Sequence, residues 1–439
     1  MIKTLSDLYG RQVSQHQIKS NLLNNNALCK RQAIQKNRHR WRCQRCNSLV
    51  YQTLPNGQYY CHSCIQLGRL TTTDQLVSLP EPNMFHDLTK KCEWQGTLTS
   101  QQEQAAQEVL LSIQSKNSRL LWAVTGAGKT EMLFPGLTWA LTNQLRVGIV
   151  SPRIDVILEL APRLQSAFPQ QSFIALYGDT AASYQYTQLV LATVHQLYRF
   201  YHAFDVLIVD EVDVFPLAGN EQLHFALSQA AKDKCAQIFL TATPSPALIQ
   251  KVQRQQLAVS YLPRRFHGYP LPTITFIKTA KWRQKLQQYQ LPKRLVKEIK
   301  RLMQIKRPFL LFVPHVKDLS DVKQALEKLH FVDKYATVHA TDKNRAIKVQ
   351  QMRNHELNFL VTTTILERGV NFADIDVLVL GADDEVFSTA ALVQMAGRVG
   401  RKKSRPTGQV LFFGAHLVTN IRRANAQIKM MNRRAHPIE

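Results

Sequence analysis

Residues 122–131 read WAVTGAGKTE. Phosphate-binding loops run Gly, four residues, then Gly-Lys-Ser/Thr. Gly128, Lys129 and Thr130 keep the second half of that pattern, while Ala123 stands where the first Gly belongs. The run LLWAV leads into the stretch with strand length, and the residues after Thr130 read as a helix. A glycine-rich turn at that junction aims backbone N–H groups and the positive end of a helix dipole at phosphate oxygens. In Thr125-Gly126-Ala127-Gly128, the two glycines allow the close approach. Lys129 is then placed to hold the β- and γ-phosphates and Thr130 to ligate Mg2+.

Outward from this loop, short apolar runs alternate with helical stretches. LLWAV, VGIVSP, FIALYG, LVLAT, VLIVDE and IFLTAT form one series, and TITFI, FLLFVP, ATVHA, FLVTTT, VLVLGA and VLFFGA a second. Buried parallel strands read as continuous apolar runs, so the pattern predicts two α/β halves with parallel sheets. In such sheets ligands bind at the C-terminal ends of the strands. At one of these ends VLIVDEVD places Asp210 to hold Mg2+ and Glu211 to orient and deprotonate the attacking water, with Asp213 two residues further on. TATP comes at the next strand end, with Thr241 and Thr243. In the second half, QMAGRVGR sets Gln394, Arg398 and Arg401 at fixed spacing. If they continue a helix, the two arginines share one side and can stabilise charge developing on a γ-phosphate.

The formal net charge is +25, with 56 Lys and Arg against 31 Asp and Glu. The excess is concentrated: residues 251–308 hold 15 basic residues and the single acid Glu298, and both termini are also basic. Such blocks fit a polyanion, either nucleic acid or an acidic lipid surface. Of seven cysteines, Cys43, Cys46, Cys61 and Cys64 form two C-x2-C pairs with fourteen residues between them. Together with the Pro55-Asn56-Gly57 turn, that spacing predicts a zinc ribbon. His62 is expected to be a neighbour rather than a ligand, and Cys29, Cys92 and Cys235 to be structural thiols. No apolar run of about 18 residues occurs and the N-terminus lacks a signal core. A cytoplasmic protein is expected, peripheral at the inner face of the membrane only through partners.

The expected order is a weakly ordered or partner-dependent basic arm (1–40), a zinc ribbon (41–70) and a connector (71–97). Two α/β parallel-sheet domains come next, over 98–255 and 256–439.

Residues 98–415 resemble the superfamily 2 helicases and translocases, through LTSQQ, AVTGAGKTE, SPRIDV, DEVD, TATP, TTTILERGVNF and QMAGRVGR. Ala is common at the first loop position in that superfamily, so Ala123 reads as a variant. The resemblance implies two RecA-like domains with ATP between them. It also implies Gln102 as adenine reader and strand contacts near Ser151, Pro152 and Arg153, near Thr193 and His195, and at Thr362 and Thr363. A ribbon ahead of the motor, with SPRIDV, DEVDVFP and TTTILERGV, resembles the ComFA family of late-competence DNA-uptake ATPases. Helicases of the PriA type, by contrast, carry their zinc cysteines in the second half. Asn371 replaces the Thr expected there.

That resemblance implies an ATPase that translocates single-stranded DNA for import. Its implied cofactors are ATP, Mg2+ and Zn2+. Its implied partners are a phosphoribosyltransferase-like competence protein and a membrane DNA channel, and a homo-oligomer is compatible with it. A duplex-unwinding DNA or RNA helicase and a non-enzymatic nucleic-acid scaffold are the alternative readings.

Overall fold

The computed structural model describes residues 2–85, 92–178, 184–331, 335–367, 372 and 374–435. The chain divides into two compact units, Met1–Trp122 with Lys129–Tyr261, and Ala123–Gly128 with Leu262–Glu439.

The first unit is built on a seven-stranded sheet. Its strands lie in the order Ala258–Leu262, Arg119–Ala123, Ala231–Thr241, Phe204–Asp210, Val147–Ser151, Leu189–Thr193 and Phe173–Leu176. Each pairing from Arg119–Ala123 onward is parallel. All six apolar runs of the first series are strands of this sheet. The register sets Thr193 beside Ser151 and Asp210 beside Leu240, so their polar ends lie along one rim. The sheet also gains the strand Ala258–Leu262, whose Ser260 is buried while Ala258 is exposed. A half-buried edge strand gives no continuous apolar run to detect.

The second unit holds a six-stranded sheet in the order Ile274–Lys278, Val410–Gly414, Asp376–Leu380, Phe309–Phe312, Phe359–Thr362, Tyr335–Val338. All five pairings are parallel. Phe309, Phe312, Phe359, Phe412 and Phe413 are fully buried in it. Helix Lys293–Gln304 packs Leu295, Ile299 and Leu302 inward and leaves Lys293, Arg294, Lys297 and Lys300 exposed. The basic block therefore includes a solvated cationic helix face.

The N-terminal residues are not a weakly ordered arm. Strand Gln75–Ser78 pairs antiparallel with both Gln12–Ser14 and Cys29–Gln32, and Leu8, Val13, Ile18 and Val77 form its core. The ribbon is thus inserted between strands that pair across roughly sixty residues of sequence. The ribbon itself is the sheet of Ile34–Asn37, Arg40–Cys43 and Leu49–Val50. Its cysteines, Val50 and Leu70 belong to one core with Val150, Ile174, Val190 and Phe200 of the seven-stranded sheet. Trp41 and Tyr59 pack against that core with their ring centroids 5.4 Å apart.

Arg146 anchors the N-terminal residues to the sheet. Its fully buried guanidinium donates to Tyr9 O (2.9 Å), Thr187 O (3.2 Å) and Tyr184 Oη (2.7 Å), and it pairs with buried Glu81. Gln12 Nε2 adds hydrogen bonds to Tyr198 O and Phe200 O. Removing one partner of such a buried pair would leave the other charge without compensation, at about 3–5 kcal/mol.

Candidate nucleotide site and metal centre

The loop after strand Arg119–Ala123 turns through Gly126 (φ +79°) and Gly128 (φ +73°). That left-handed backbone explains the two glycines. The chain then enters a short 3-10 turn, Glu131–Leu133, before helix Phe134–Thr142. Lys129 Nζ lies 3.8 Å from Asp210 Oδ1 at the end of strand Phe204–Asp210, and Thr130 is buried nearby in sequence. Burial holds the Asp210 carboxyl above its ordinary range, against the pull of the Lys129 charge. A desolvated carboxylate facing an ammonium is a seat prepared for a cation and for phosphate. Glu211 takes a left-handed φ of +52° and returns its N–H to Asp210 Oδ1 at 2.8 Å. A non-glycine residue held there costs about 1 kcal/mol or more, and such strain gathers at functional sites.

Asp213 has a role that the spacing alone did not reveal. Its Oδ1 accepts from the Thr241 hydroxyl and its Oδ2 from Thr243 Oγ1 at 2.5 Å. Thr243 N–H also donates to Thr241 Oγ1 at 2.9 Å. The acidic strand end and the TATP turn therefore form one hydrogen-bonded block. The alternation Asp210, Glu211, Asp213 beside two threonines was the available signal.

Gln102 is buried and caps its own helix. Its Oε1 accepts from Thr99 N–H at 2.9 Å, and Thr99 Oγ1 accepts from Gln102 N–H. Among the expected strand contacts, Ser151 and Thr193 are buried at adjacent strand ends. Ser151 Oγ accepts from Arg153 N–H at 3.3 Å, across Pro152. The Arg153 guanidinium is held by both oxygens of Asp155 (2.9 and 2.8 Å). His195 is exposed in the 3-10 turn Val194–Arg199. In the second unit the Thr362 hydroxyl donates to Val338 O at 3.1 Å, and Thr363 is buried beside it. The stretch 368–371, including Asn371, lies outside the described residues.

The arginines depart from the expected helix. Helix Thr389–Ala396 contains buried Gln394 and ends before them, with Gly397 at its C-terminus. Arg398 and Arg401 lie on the turn after it, where Gly400 takes φ +69°. Arg398 is 2% exposed and its Nε donates to Glu367 O at 2.9 Å, while Arg401 Nε donates to Gly397 O at 3.3 Å. Gly397 caps the helix at φ −64°, and Gly400 in the left-handed region keeps the chain from resuming it.

In the ribbon, the sulfurs of Cys43, Cys46, Cys61 and Cys64 lie within 4.8 Å of one another, and all four residues are buried. Cys43–Cys64 is 3.8 Å, and Cys46–Cys61 and Cys61–Cys64 are 3.5 Å. Four thiolates at about 2.3 Å from a tetrahedral zinc lie about 3.8 Å apart, so the cluster fits that ion. Arg45 donates to Cys64 Sγ from Nε (3.3 Å) and Nη2 (3.1 Å), and Cys46 Sγ lies 3.2 Å from Ser48 Oγ. Donors of this kind stabilise ligating thiolates. His62 is exposed and outside the cluster. Of the remaining thiols, Cys235 is buried, Cys92 half-buried and Cys29 exposed.

Residues 6–78 match the family described as competence protein ComFA N-terminal domain. Residues 95–246 match type III restriction enzyme, res subunit, and residues 290–403 match helicase conserved C-terminal domain. The competence protein ComFA of Bacillus subtilis is 40% identical over 93% of this chain and 89% of its own length. That of Streptococcus pneumoniae is 38% identical over 92% and 93%. In fold, the chain is similar to Saccharomyces cerevisiae Dbp5 bound to RNA and ADP BeF3. That match has a TM-score of 0.54 at 15% identity, over 76% of this chain and 88% of that one. No helix among the described residues is long and apolar enough to cross a membrane. With ATP and Mg2+ implied by its helicase domains and DNA by its relatives, the chain belongs to the ComFA family of competence proteins, ATPases of the superfamily 2 helicase type.

Proposed function

We propose that this ATPase translocates along single-stranded DNA and drives its import. The meeting of Lys129 with Asp210 at 3.8 Å, at the end of a parallel strand, carries the ATPase part of this reading, and the likeness to competence proteins supports the DNA part. The loop 125–130 wraps the phosphates, Lys129 neutralises the β- and γ-oxygens, and Gln102 reads the adenine. Thr130 and Asp210 hold magnesium, which when bound supplies charge neutralisation at the leaving and transferring oxygens. Glu211 takes the proton of the attacking water, and Arg398 and Arg401 stabilise charge on the transferred phosphoryl group, with Gln394 ahead of them. Asp213, by gripping Thr241 and Thr243, couples the acidic strand end to the next loop.

The backbone at Ser151, Pro152 and Arg153, at Thr193 and His195, and at Thr362 and Thr363 carries the strand. The exposed cationic face of Lys293–Gln304 adds attraction for phosphate. The four cysteines hold Zn2+ as a structural ion. A phosphoribosyltransferase-like competence protein and a membrane channel are the proposed partners, in a cytoplasmic assembly at the inner face of the membrane.

The test is steady-state ATP hydrolysis at one salt concentration with no nucleic acid, single-stranded DNA, blunt duplex or single-stranded RNA. Stimulation by single-stranded DNA alone is expected. Equal stimulation by duplex or RNA would favour a helicase, and no hydrolysis under any condition would return a scaffold.

A further inference from the structure

The segment after strand Ala258–Leu262 runs along the phosphate loop. Within the second unit, Leu262 O accepts from Val124 N–H at 3.0 Å, and Phe266 N–H donates to Gly126 O at 3.0 Å. Between those two contacts sits Arg265, 2% exposed. Its Nη1 donates to Val399 O at 2.6 Å and to Gly400 O, and its Nη2 to Gly397 O at 3.4 Å. His267 Nε2 meets Gly400 O at 3.0 Å. One guanidinium therefore gathers the carbonyls on both sides of Arg398 and just ahead of Arg401.

Nothing about this residue suits simple packing. No carboxylate among the described residues pairs with it, and burial, then the nearby Arg401 charge, push its guanidinium down to about 10. A buried cation without an anion lowers stability relative to an apolar side chain of similar volume. The glycines around it are equally constrained. A Cβ on Gly400, at φ +69°, would run into Pro406 O, and one on Gly397 would run into the Thr125 hydroxyl. That hydroxyl instead donates to Gly397 O at 3.4 Å, a second tie between phosphate loop and arginine turn.

We propose that Arg265 is a positioning residue for hydrolysis, tying the phosphate loop to the turn that carries Arg398 and Arg401. A nucleotide that orders residues 125–128 thereby also fixes where the two arginines stand. The inference rests on the reading of those arginines as the groups that stabilise the transferred phosphoryl. Misplacing a catalytic group by about 1 Å can cost about a hundredfold in rate.

The test uses the full chain with Arg265→Gln, Arg265→Lys, Arg398→Ala, Arg401→Ala and the double variants that combine an Arg265 change with Arg398→Ala. ATP hydrolysis with a single-stranded oligonucleotide gives kcat and KM, a fluorescent ATP analogue gives Kd, and thermal melting reports folding. Arg265→Gln should lower kcat about tenfold to a hundredfold while Kd stays within about threefold. Arg265→Lys, which keeps the charge but not the fork, should lose less. In the Arg398→Ala background either Arg265 change should cost clearly less than it does in the wild type, because the part acting through Arg398 is already gone. Losses that multiply in the double variants, or wild-type kcat in both single Arg265 variants, would overturn this inference alone. Wild-type kcat in Arg398→Ala and Arg401→Ala would remove the underlying reading together with it. If Arg265→Gln does not fold, Arg265→Lys with its double variant decides by the same criteria.

Discussion

Two regions of the first unit gather donors suited to cations, and they differ in what they show to solvent. Cys43, Cys46, Cys61 and Cys64 are 0–3% exposed and share a core with the seven-stranded sheet. The side chains of Lys129 and Asp210 remain 20% and 17% accessible, at the open end of a strand. A sealed cluster of thiolates held by hydrogen-bond donors would keep its ion and contribute to folding. An accessible pair of opposite charges with strained backbone beside it can exchange its ligands. On the proposed roles, the difference separates an ion that would hold the fold from ions that would come and go with each turnover.

If that separation is right, the two regions fail independently. Lys129→Ala is expected to lower ATP hydrolysis about 10²–10³-fold or more while leaving bound metal at one zinc per chain. Glu211→Gln should do the same with nucleotide binding intact. Elemental analysis beside a hydrolysis assay checks both, and turnover at the wild-type rate in the Lys129→Ala protein would break the comparison at its open end.

Cys46→Ser probes the closed end and should have the smaller effect on catalysis. It is expected to remove the metal and to lower the melting temperature of the first unit, because the sulfurs share its core rather than capping a separate module. The affinity for an ATP analogue should stay within about threefold, since the phosphate loop is held by other contacts. Retention of one zinc per chain by this variant would refute the ligand set.

The same contrast explains how much could be read from the chain. All twelve apolar runs became strands because buried parallel strands need no alternation, and the polar residues that end the central strands of the first sheet fall along one rim. The cysteine spacing was equally legible, since its two pairs close locally into one cluster of tetrahedral size. The N-terminal sheet was hidden because Gln12–Ser14 and Gln75–Ser78 each lack a partner nearby in sequence. The turn after Ala396 was misread as helix, because the glycines that end it also occur within the motif. Arg265 carried no motif at all: its role depends on carbonyls more than 130 residues away, and backbone acceptors leave no mark in a sequence.

The smallest expected effect is on stability, and it concerns Asp210. Burial raises its carboxyl above the ordinary value of 3.8, so the folded chain binds that proton more tightly than the unfolded chain does. Linkage gives the sign: this group favours folding below about pH 3.8 and loses that contribution as pH rises through its raised folded value. Near neutral pH the ionised carboxylate is therefore a liability in the ligand-free protein, offset only in part by Lys129 at 3.8 Å. Asp210→Asn removes the charge at nearly constant volume. It should abolish hydrolysis yet raise the melting temperature without nucleotide, by roughly 2–4 °C for each kcal/mol relieved. Added Mg2+ and a non-hydrolysable ATP analogue should then stabilise the wild type more than the variant, reversing the order. A variant that melts below the wild type without ligand would show that Asp210 supports the fold, and the contrast between the sealed and the open site would lose its energetic basis.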